Sequence, residues 1–242
     1  MARKLYVIDV RCGIKEVLVN KFKFGKEYFV PYADDPLRMK SYGEQLAWLE
    51  KFVPLKGSRV LDYGCGIGLM MSQIESWGGN VFGCDISEYA VNECKKRGLK
   101  AELVENIEWT ESDHYDLIIL RGVFQHLWAP NKTISECFTQ LRPGGVIAVL
   151  STPNIESTYY RKFAELPTLS KQLALNLPSK STIFHCLELN GFEVISHRYP
   201  YLESFYASPI VDSLKFILRL VGFSIRSHAF PGNVIDVVAR KC

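Results

Sequence analysis

Between residues 58 and 154 the chain alternates short apolar runs with stretches of helical spacing, and no other feature narrows its fold as far. Arg59-Val-Leu-Asp62, Asn80-Val-Phe-Gly-Cys-Asp85, Lys100 to Val104, Tyr115-Asp-Leu-Ile-Ile-Leu120 and Val146-Ile-Ala-Val-Leu150 read as strands. Helices are expected between them, over Leu69 to Trp77, Ser87 to Arg97 and Asn131 to Leu141. Gly78-Gly79, Gly98 and Pro143-Gly-Gly145 stop these helices, and Ser87 is placed to cap the second. Strands apolar on both faces and joined through helices predict an α/β chain with a mostly parallel sheet covered on each side.

The flanks depart from this rhythm. Leu5-Tyr-Val-Ile-Asp-Val10 and Val17-Leu-Val19, with Gly13 between them, are β-branched and predict a small N-terminal hairpin. Phe22, Phe24, Tyr28 and Phe29 continue that pattern, so residues 1–36 are expected to be a β extension. Leu37 to Phe52 has helical spacing and stops before Pro54. After Asn154 two less regular stretches, 155–182 and 200–233, interrupt a domain spanning 37–242. A helix over 182–190, a strand Phe192 to His197 and a final strand Val234 to Ala239 lie around them.

Composition excludes several classes. Lys+Arg 29 against Asp+Glu 26 leaves a net charge of +3, too small and too dispersed for a polyanion partner, so no nucleic acid is expected. No segment has the apolar length of a transmembrane helix, and the N-terminal run is too short for a signal-peptide core. Seven scattered cysteines without a C-x-x-C pair read as reduced thiols, which implies a cytoplasmic setting and no metal site.

The chemistry is carried by Asp62-Tyr63-Gly64-Cys65-Gly66-Ile67-Gly68. Glycines let a backbone turn sharply and approach a ligand, and the helix behind them offers free N–H groups. Asp85, at the end of the next strand, suits both hydroxyls of a ribose. Two cofactors fit this outline. A dinucleotide loop needs a third glycine where Leu69 stands, and Asp62 would repel a pyrophosphate but suits a cationic cofactor.

Val60-Leu-Asp-Tyr-Gly-Cys-Gly-Ile-Gly68, Asp85, Tyr115 to Leu127, Leu141-Arg-Pro-Gly-Gly145 and Ser151-Thr-Pro-Asn154 together resemble the class I S-adenosylmethionine-dependent methyltransferases. The last two segments resemble the branch of ubiquinone-type O-methyltransferases and methyltransferases of bacterial surface-glycan gene clusters. The resemblance implies a Rossmann-like, doubly wound, seven-stranded sheet and S-adenosyl-L-methionine as cofactor. It implies that Asp62, Gly64, Cys65, Gly66, Gly68, Asp85, Ile86, Ile107 and Arg121 surround that cofactor. Asn106 aligns with the residue that reads the adenine amino group, with Glu105 as the competing register. Many relatives carry an N-terminal cysteine-rich metal ribbon; Cys12-Gly-Ile-Lys-Glu16 resembles one corner of it, without the partner cysteines.

His126 follows the fourth strand of the alternating core, where ligands of open α/β sheets sit, and a base with a pKa of about 6.5 suits deprotonation of a hydroxyl. Its alternative role is a loop hydrogen bond. Tyr159, Tyr160 and Arg161 are the candidate acceptor contacts, or else cover for the core. Asp116, at the start of a buried strand, reads as a structural cap. The family's signature for methylating base amino groups, Asn or Asp before Pro-Pro and an aromatic, is replaced by Leu120-Arg-Gly-Val123. The expected activity is therefore methyl transfer to a small molecule or a glycan- or lipid-linked intermediate, with an oxygen acceptor favoured over a nucleic-acid nitrogen. A nicotinamide-dependent oxidoreductase and a non-catalytic scaffold are the rivals. Within 200–233, Ile210 to Val221 is apolar around most of a helix, with Asp212, Lys215 and Arg219 in one stripe. Three fates compete for its apolar surface: packing on this domain or on a homodimer partner, a wall for a lipid-linked acceptor, and contact with a membrane surface.

Overall fold

The computed structural model describes residues 4–9, 13–18, 24–32, 35–107, 109, 112, 114–169, 174–203 and 207–242. Strands β1 (Lys4–Asp9) and β2 (Gly13–Leu18) run antiparallel, with Lys4 opposite Leu18 and Asp9 opposite Gly13. Cys12 lies outside the described residues. The β character expected to continue through Tyr28 and Phe29 does not: they belong to a helical turn, α1 (Lys26–Phe29). Four residues are too few to show a helical period in sequence, and an aromatic run reads by default as strand. Phe29 is buried, and its ring stacks on Tyr89 at 6.0 Å. Phe24, Tyr28 and Phe29 thus pack on the core that follows.

Helix α2 (Pro36–Leu49) starts on the Asp35 side chain, which accepts from the Leu37 and Arg38 N–H groups, with proline in the first turn. The alternating core then delivers β3 (Arg59–Tyr63), α3 (Leu69–Ser76), β4 (Asn80–Asp85), α4 (Glu88–Lys96), β5 (Ala101–Leu103), β6 (Tyr115–Arg121), α5 (Pro130–Gln140) and β7 (Leu141–Pro153). After α6 (Thr158–Phe163) and α7 (Lys180–Leu189) come β8 (Phe192–Arg198), α8 (Pro209–Leu220) and β9 (Val234–Lys241). Seven strands form one sheet in the order β5-β4-β3-β6-β7-β9-β8. All neighbours are parallel except β9, which runs antiparallel to both β7 and β8.

Alternate side chains of the central strands enter two cores. Val60, Leu117, Ile119 and Ala148 meet α2, α3 and α4, whereas Leu61, Ile118, Leu120 and Ile147 meet α5 and α7. Burying each such aliphatic side chain contributes about 1.5–3 kcal/mol, which is why these strands tolerate no polar interior. Asp116 holds the entry of the sheet: it accepts from the Arg59 N–H at 2.7 Å and pairs with Arg142. The strand order reverses between β3 and β6, and at their carboxyl ends such sheets open a crevice.

Candidate active site

The β3–α3 turn is built on three left-handed glycines, Gly64 (φ 80°), Gly66 (φ 54°) and Gly68 (φ 81°). A Cβ at position 64 would sit 2.3 Å from Val123 Cγ2, and one at 68 would sit 2.4 Å from Leu99 Cδ1, so only glycine fits either place. The Gly64 and Cys65 N–H groups donate to the Cys84 carbonyl, fastening the loop to β4. Asp85, at the tip of β4, accepts from the Gly66 N–H and the Ser87 N–H, both at 2.9 Å. Burial raises its carboxyl above the usual range, against those two donors. Cys65 packs under the loop, its thiol 3.9 Å from that of Cys94.

Asp62 is 2% exposed, and its Oδ2 has no hydrogen-bond partner among the described residues. Burial lifts its carboxyl to about 7; Arg121 opposes the shift and Asp85 adds to it. A buried carboxylate oxygen left unpartnered is costly and marks a place for a donor, here one facing the loop. Arg121, at the end of β6, donates through Nε to Gln45 Oε1 at 2.7 Å and stacks on the Tyr42 ring at 4.1 Å.

Tyr42, Gln45, Asp62, Gly64, Cys65, Gly66, Asp85 and Arg121 line one cleft of about 1390 Å³, whereas Gly68, packed against Leu99 and Cys94, does not reach it. One end has an apolar slot of Ile86, Val104, Ile107 and Trp109, with Ile86 67% exposed and Trp109 stacked on Tyr63 at 6.4 Å. Asn106 is not part of it. Its amide is exposed and turned toward Glu102 at 3.5 Å, because the short 3-10 turn Val104–Asn106 aims Val104 and Ile107 inward. Glu105 is exposed too, so neither of the two candidate side chains lines the cleft. Trp109 escaped the sequence reading because it lies in no periodic element.

His126 sits in a 3-10 turn, Phe124–His126, after β6. It lines the cleft with its Nε2 3.1 Å from Gln125 Nε2 and its ring edge-on to Phe24 at 5.7 Å. The cleft continues past Gln45, Ser151, Tyr201, Lys215 and His228, which alternate with apolar residues such as Phe230 and Val234. Ser151 is held in a left-handed conformation, φ 51°, by two contacts: its N–H donates to Asp236 at 2.7 Å and its hydroxyl accepts from Gln45 at 3.0 Å. Strain of this kind persists only where the surroundings over-determine it. Asp236 is fully buried and also binds Gln45 and Arg198.

Tyr159, Tyr160 and Arg161 do not line the cleft. Tyr159 is fully buried among Phe163, Phe216, His228 and Phe230, and its hydroxyl accepts from Arg219 at 2.6 Å. Helix α6 turns this side chain against α8, while Arg161 points to solvent. The expected substrate contact is thus a structural bolt. On α8 itself the stripe is reversed from expectation: Asp212 is buried, while Ile210, Leu214 and Ile217 are exposed.

Among the described residues no group of His, Cys, Asp or Glu has the geometry of a metal site, and no helix is long and apolar enough to cross a membrane. The model of a methyltransferase domain family matches residues 37–197. The chain is 27% identical over 123 residues to a ubiquinone biosynthesis O-methyltransferase of Bordetella avium, covering 47% of this chain and 48% of that protein. It is 31% identical over 108 residues to its counterpart in Coxiella burnetii, covering 42% and 46%. It thus spans about half the length of the curated relatives it matches. The magnesium protoporphyrin IX methyltransferase of Synechocystis, solved with bound S-adenosylhomocysteine, superposes with a TM-score of 0.59 at 18% identity, over 90% of this chain and 96% of that one.

Proposed function

Since the chain belongs to the methyltransferase domain family, with S-adenosylmethionine as its cofactor, we propose that it transfers a methyl group to an oxygen of a small molecule or a glycan- or lipid-linked biosynthetic intermediate. The observation that carries this reading is the one cleft that joins Asp62, Asp85 and the glycine loop to His126, Gln45, Ser151, Tyr201 and Lys215. The residues present fit the cofactor. Asp62 Oδ2 lacks the donor that an ammonium group supplies, Asp85 stands where a ribose diol reaches it, and Ile86, Ile107 and Trp109 form a slot for a flat ring. Arg121, beside Asp62, balances the carboxylates of the wall.

When bound, the cofactor brings an electrophilic methyl on a sulfonium. What the protein adds is alignment, and holding the acceptor oxygen in line supplies most of the rate. His126 is placed on the cleft wall to take the proton of an acceptor hydroxyl, with Gln125 and Phe24 fixing its ring. Gln45 and Ser151, held from behind by the buried Asp236, make a rigid polar wall for the acceptor. The nicotinamide reading fails on Leu69 and on the unpartnered carboxylate of Asp62. A cytoplasmic setting suits the five buried free thiols.

The test is transfer of labelled methyl from S-adenosylmethionine into cell extract, followed by isolation of the labelled product. A methyl ether or ester supports the reading. A methylamine or C-methyl product, or calorimetry showing affinity for NAD and none for S-adenosylhomocysteine, overturns it.

A further inference from the structure

Helix α8 turns its charged residues, together with Phe216, toward the protein. Asp212 is 2% exposed and accepts from the Tyr201 hydroxyl and the Ser208 N–H, both at 2.8 Å. Arg219 donates to Tyr159 at 2.6 Å and to Glu165 at 2.7 Å, and its guanidinium lies over the Phe163 ring at 4.4 Å. Lys215 lines the cleft. The opposite side carries Ile210, Leu214, Ile217 and Val221, exposed by 86%, 56%, 56% and 68%. Their spacing of four, three and four residues puts them in one row along the helix. Phe223, 61% exposed, extends the row past the helix end. A surface helix ordinarily buries such a row and shows its charges to water. A contiguous exposed apolar row marks an interaction surface, whereas scattered single residues do not.

The neighbouring charge selects the partner. Arg161 and Lys162 on α6, which packs against α8 through Phe163 and Phe216, and Arg226 beside Phe223, are exposed and have no ion-pair partner among the described residues. The acids of the same elements are used internally: Asp212 is buried and Glu165 holds Arg219. The surface around α8 therefore carries uncompensated positive charge, with Arg226 next to Phe223 at the end of the row. A second copy docking on it about a two-fold axis would bring like charges together. An anionic bilayer accepts both features, the apolar row entering the headgroup boundary and the bases meeting lipid phosphates.

We propose that α8 docks this protein on the surface of an anionic membrane through Ile210, Leu214, Ile217, Val221 and Phe223, with Arg161, Lys162 and Arg226 as the basic contacts. The helix lies on the bilayer and does not cross it. Asp212 and Lys215 open onto the cleft from its inner side, so the docked face adjoins the acceptor end of the site. The docking stands whatever the acceptor is.

Co-sedimentation of the full chain with lipid vesicles tests this. One set is phosphatidylcholine alone and the other an equal mixture with phosphatidylglycerol. The expected result is partition into the mixed vesicles, weakened by salt, and reduced more than about tenfold in Leu214→Glu with Ile217→Glu. Arg161→Glu with Arg226→Glu is expected to lose the preference for anionic lipid. Unchanged affinity for S-adenosylhomocysteine confirms that each variant is folded, and Ile210→Ser with Val221→Ser repeats the test with a milder change. The proposal is overturned if the wild type partitions no better than these variants. It is also overturned if ultracentrifugation shows a dimer that the variants dissolve, since the row is then covered by a second copy.

Discussion

The Gly66 N–H donates to Asp85 Oδ2 at 2.9 Å, so the glycine loop after β3 and the acid at the tip of β4 form one hydrogen-bonded unit. Replacing Asp85 by alanine removes a charged acceptor and loosens the loop together. The expected cost is about 1.5–3 kcal/mol, or roughly 10–150-fold in affinity for S-adenosylhomocysteine. Isothermal calorimetry reads it; an affinity within about threefold of wild type would remove Asp85 from the site.

Asp62 sets a pH dependence. Burial raises its carboxyl from 3.8 to about 7 in the folded chain. Between those values the folded, ligand-free protein keeps a proton that the unfolded chain has lost. The stability Asp62 contributes is thus complete below the lower value and disappears as pH rises through about 7. A ligand ammonium needs the ionised form, so affinity for S-adenosylhomocysteine should climb by up to about tenfold per pH unit below that point and then level off. Asp62→Asn should flatten both profiles and weaken binding at high pH. An affinity independent of pH across this window in wild type contradicts the assignment.

His126→Ala should lower turnover by about 10²–10⁴-fold while leaving cofactor affinity nearly unchanged. The accompanying signature is loss of the acidic limb of the rate profile. Near-normal turnover in the variant returns His126 to a loop-stabilising role.

Two glycines with the same backbone separate strain from collision. Gly98 (φ 78°) has open space around it, whereas a Cβ at Gly64 (φ 80°) meets Val123. Alanine at 98 should cost about 1–2 kcal/mol from the left-handed backbone alone. Alanine at 64 should add about 1–3 kcal/mol of overpacking and abolish cofactor binding as well. Urea melts of the two variants compare them directly, and equal midpoints would mean that Val123 moves aside freely.

Tyr159→Phe tests the bolt between α6 and α8. Losing the bond from Arg219 should destabilise the protein by about 1.5–3 kcal/mol with no change in cofactor affinity. Unchanged stability combined with a raised KM for the acceptor would restore the direct substrate role.

The parallel sheet and the loop were legible because both rest on local rules. Buried strands such as Leu117 to Leu120 admit only apolar residues, and a turn such as Gly64-Cys-Gly66 admits only glycine at its crowded points. The cleft wall at Gln45 and Ser151 was not legible, since it depends on residues far apart in sequence: Gln45, Ser151, Arg198 and Asp236 meet only after the sheet has formed. The orientation of Tyr159 and Asn106 is hidden from the sequence for a related reason. Composition shows that a residue is aromatic or polar, but which way a short helix or 3-10 turn aims it depends on what packs beside it. For α8 the sequence shows a stripe and a row, and only the fold shows that the stripe faces inward.

The position of β9 has a consequence for biosynthesis. It follows the other six strands of the sheet in chain order, yet it lies between β7 and β8 and carries Asp236, the anchor of Ser151 and Arg198. A nascent chain that has not yet exposed residues 234–241 leaves two strands with bare edges, the form most open to aggregation. The cofactor half of the cleft, made entirely from earlier residues, can be assembled on the ribosome. The acceptor wall has to wait for those eight residues to emerge, so a message truncated before them yields a chain equipped to hold its cofactor and unable to finish its sheet.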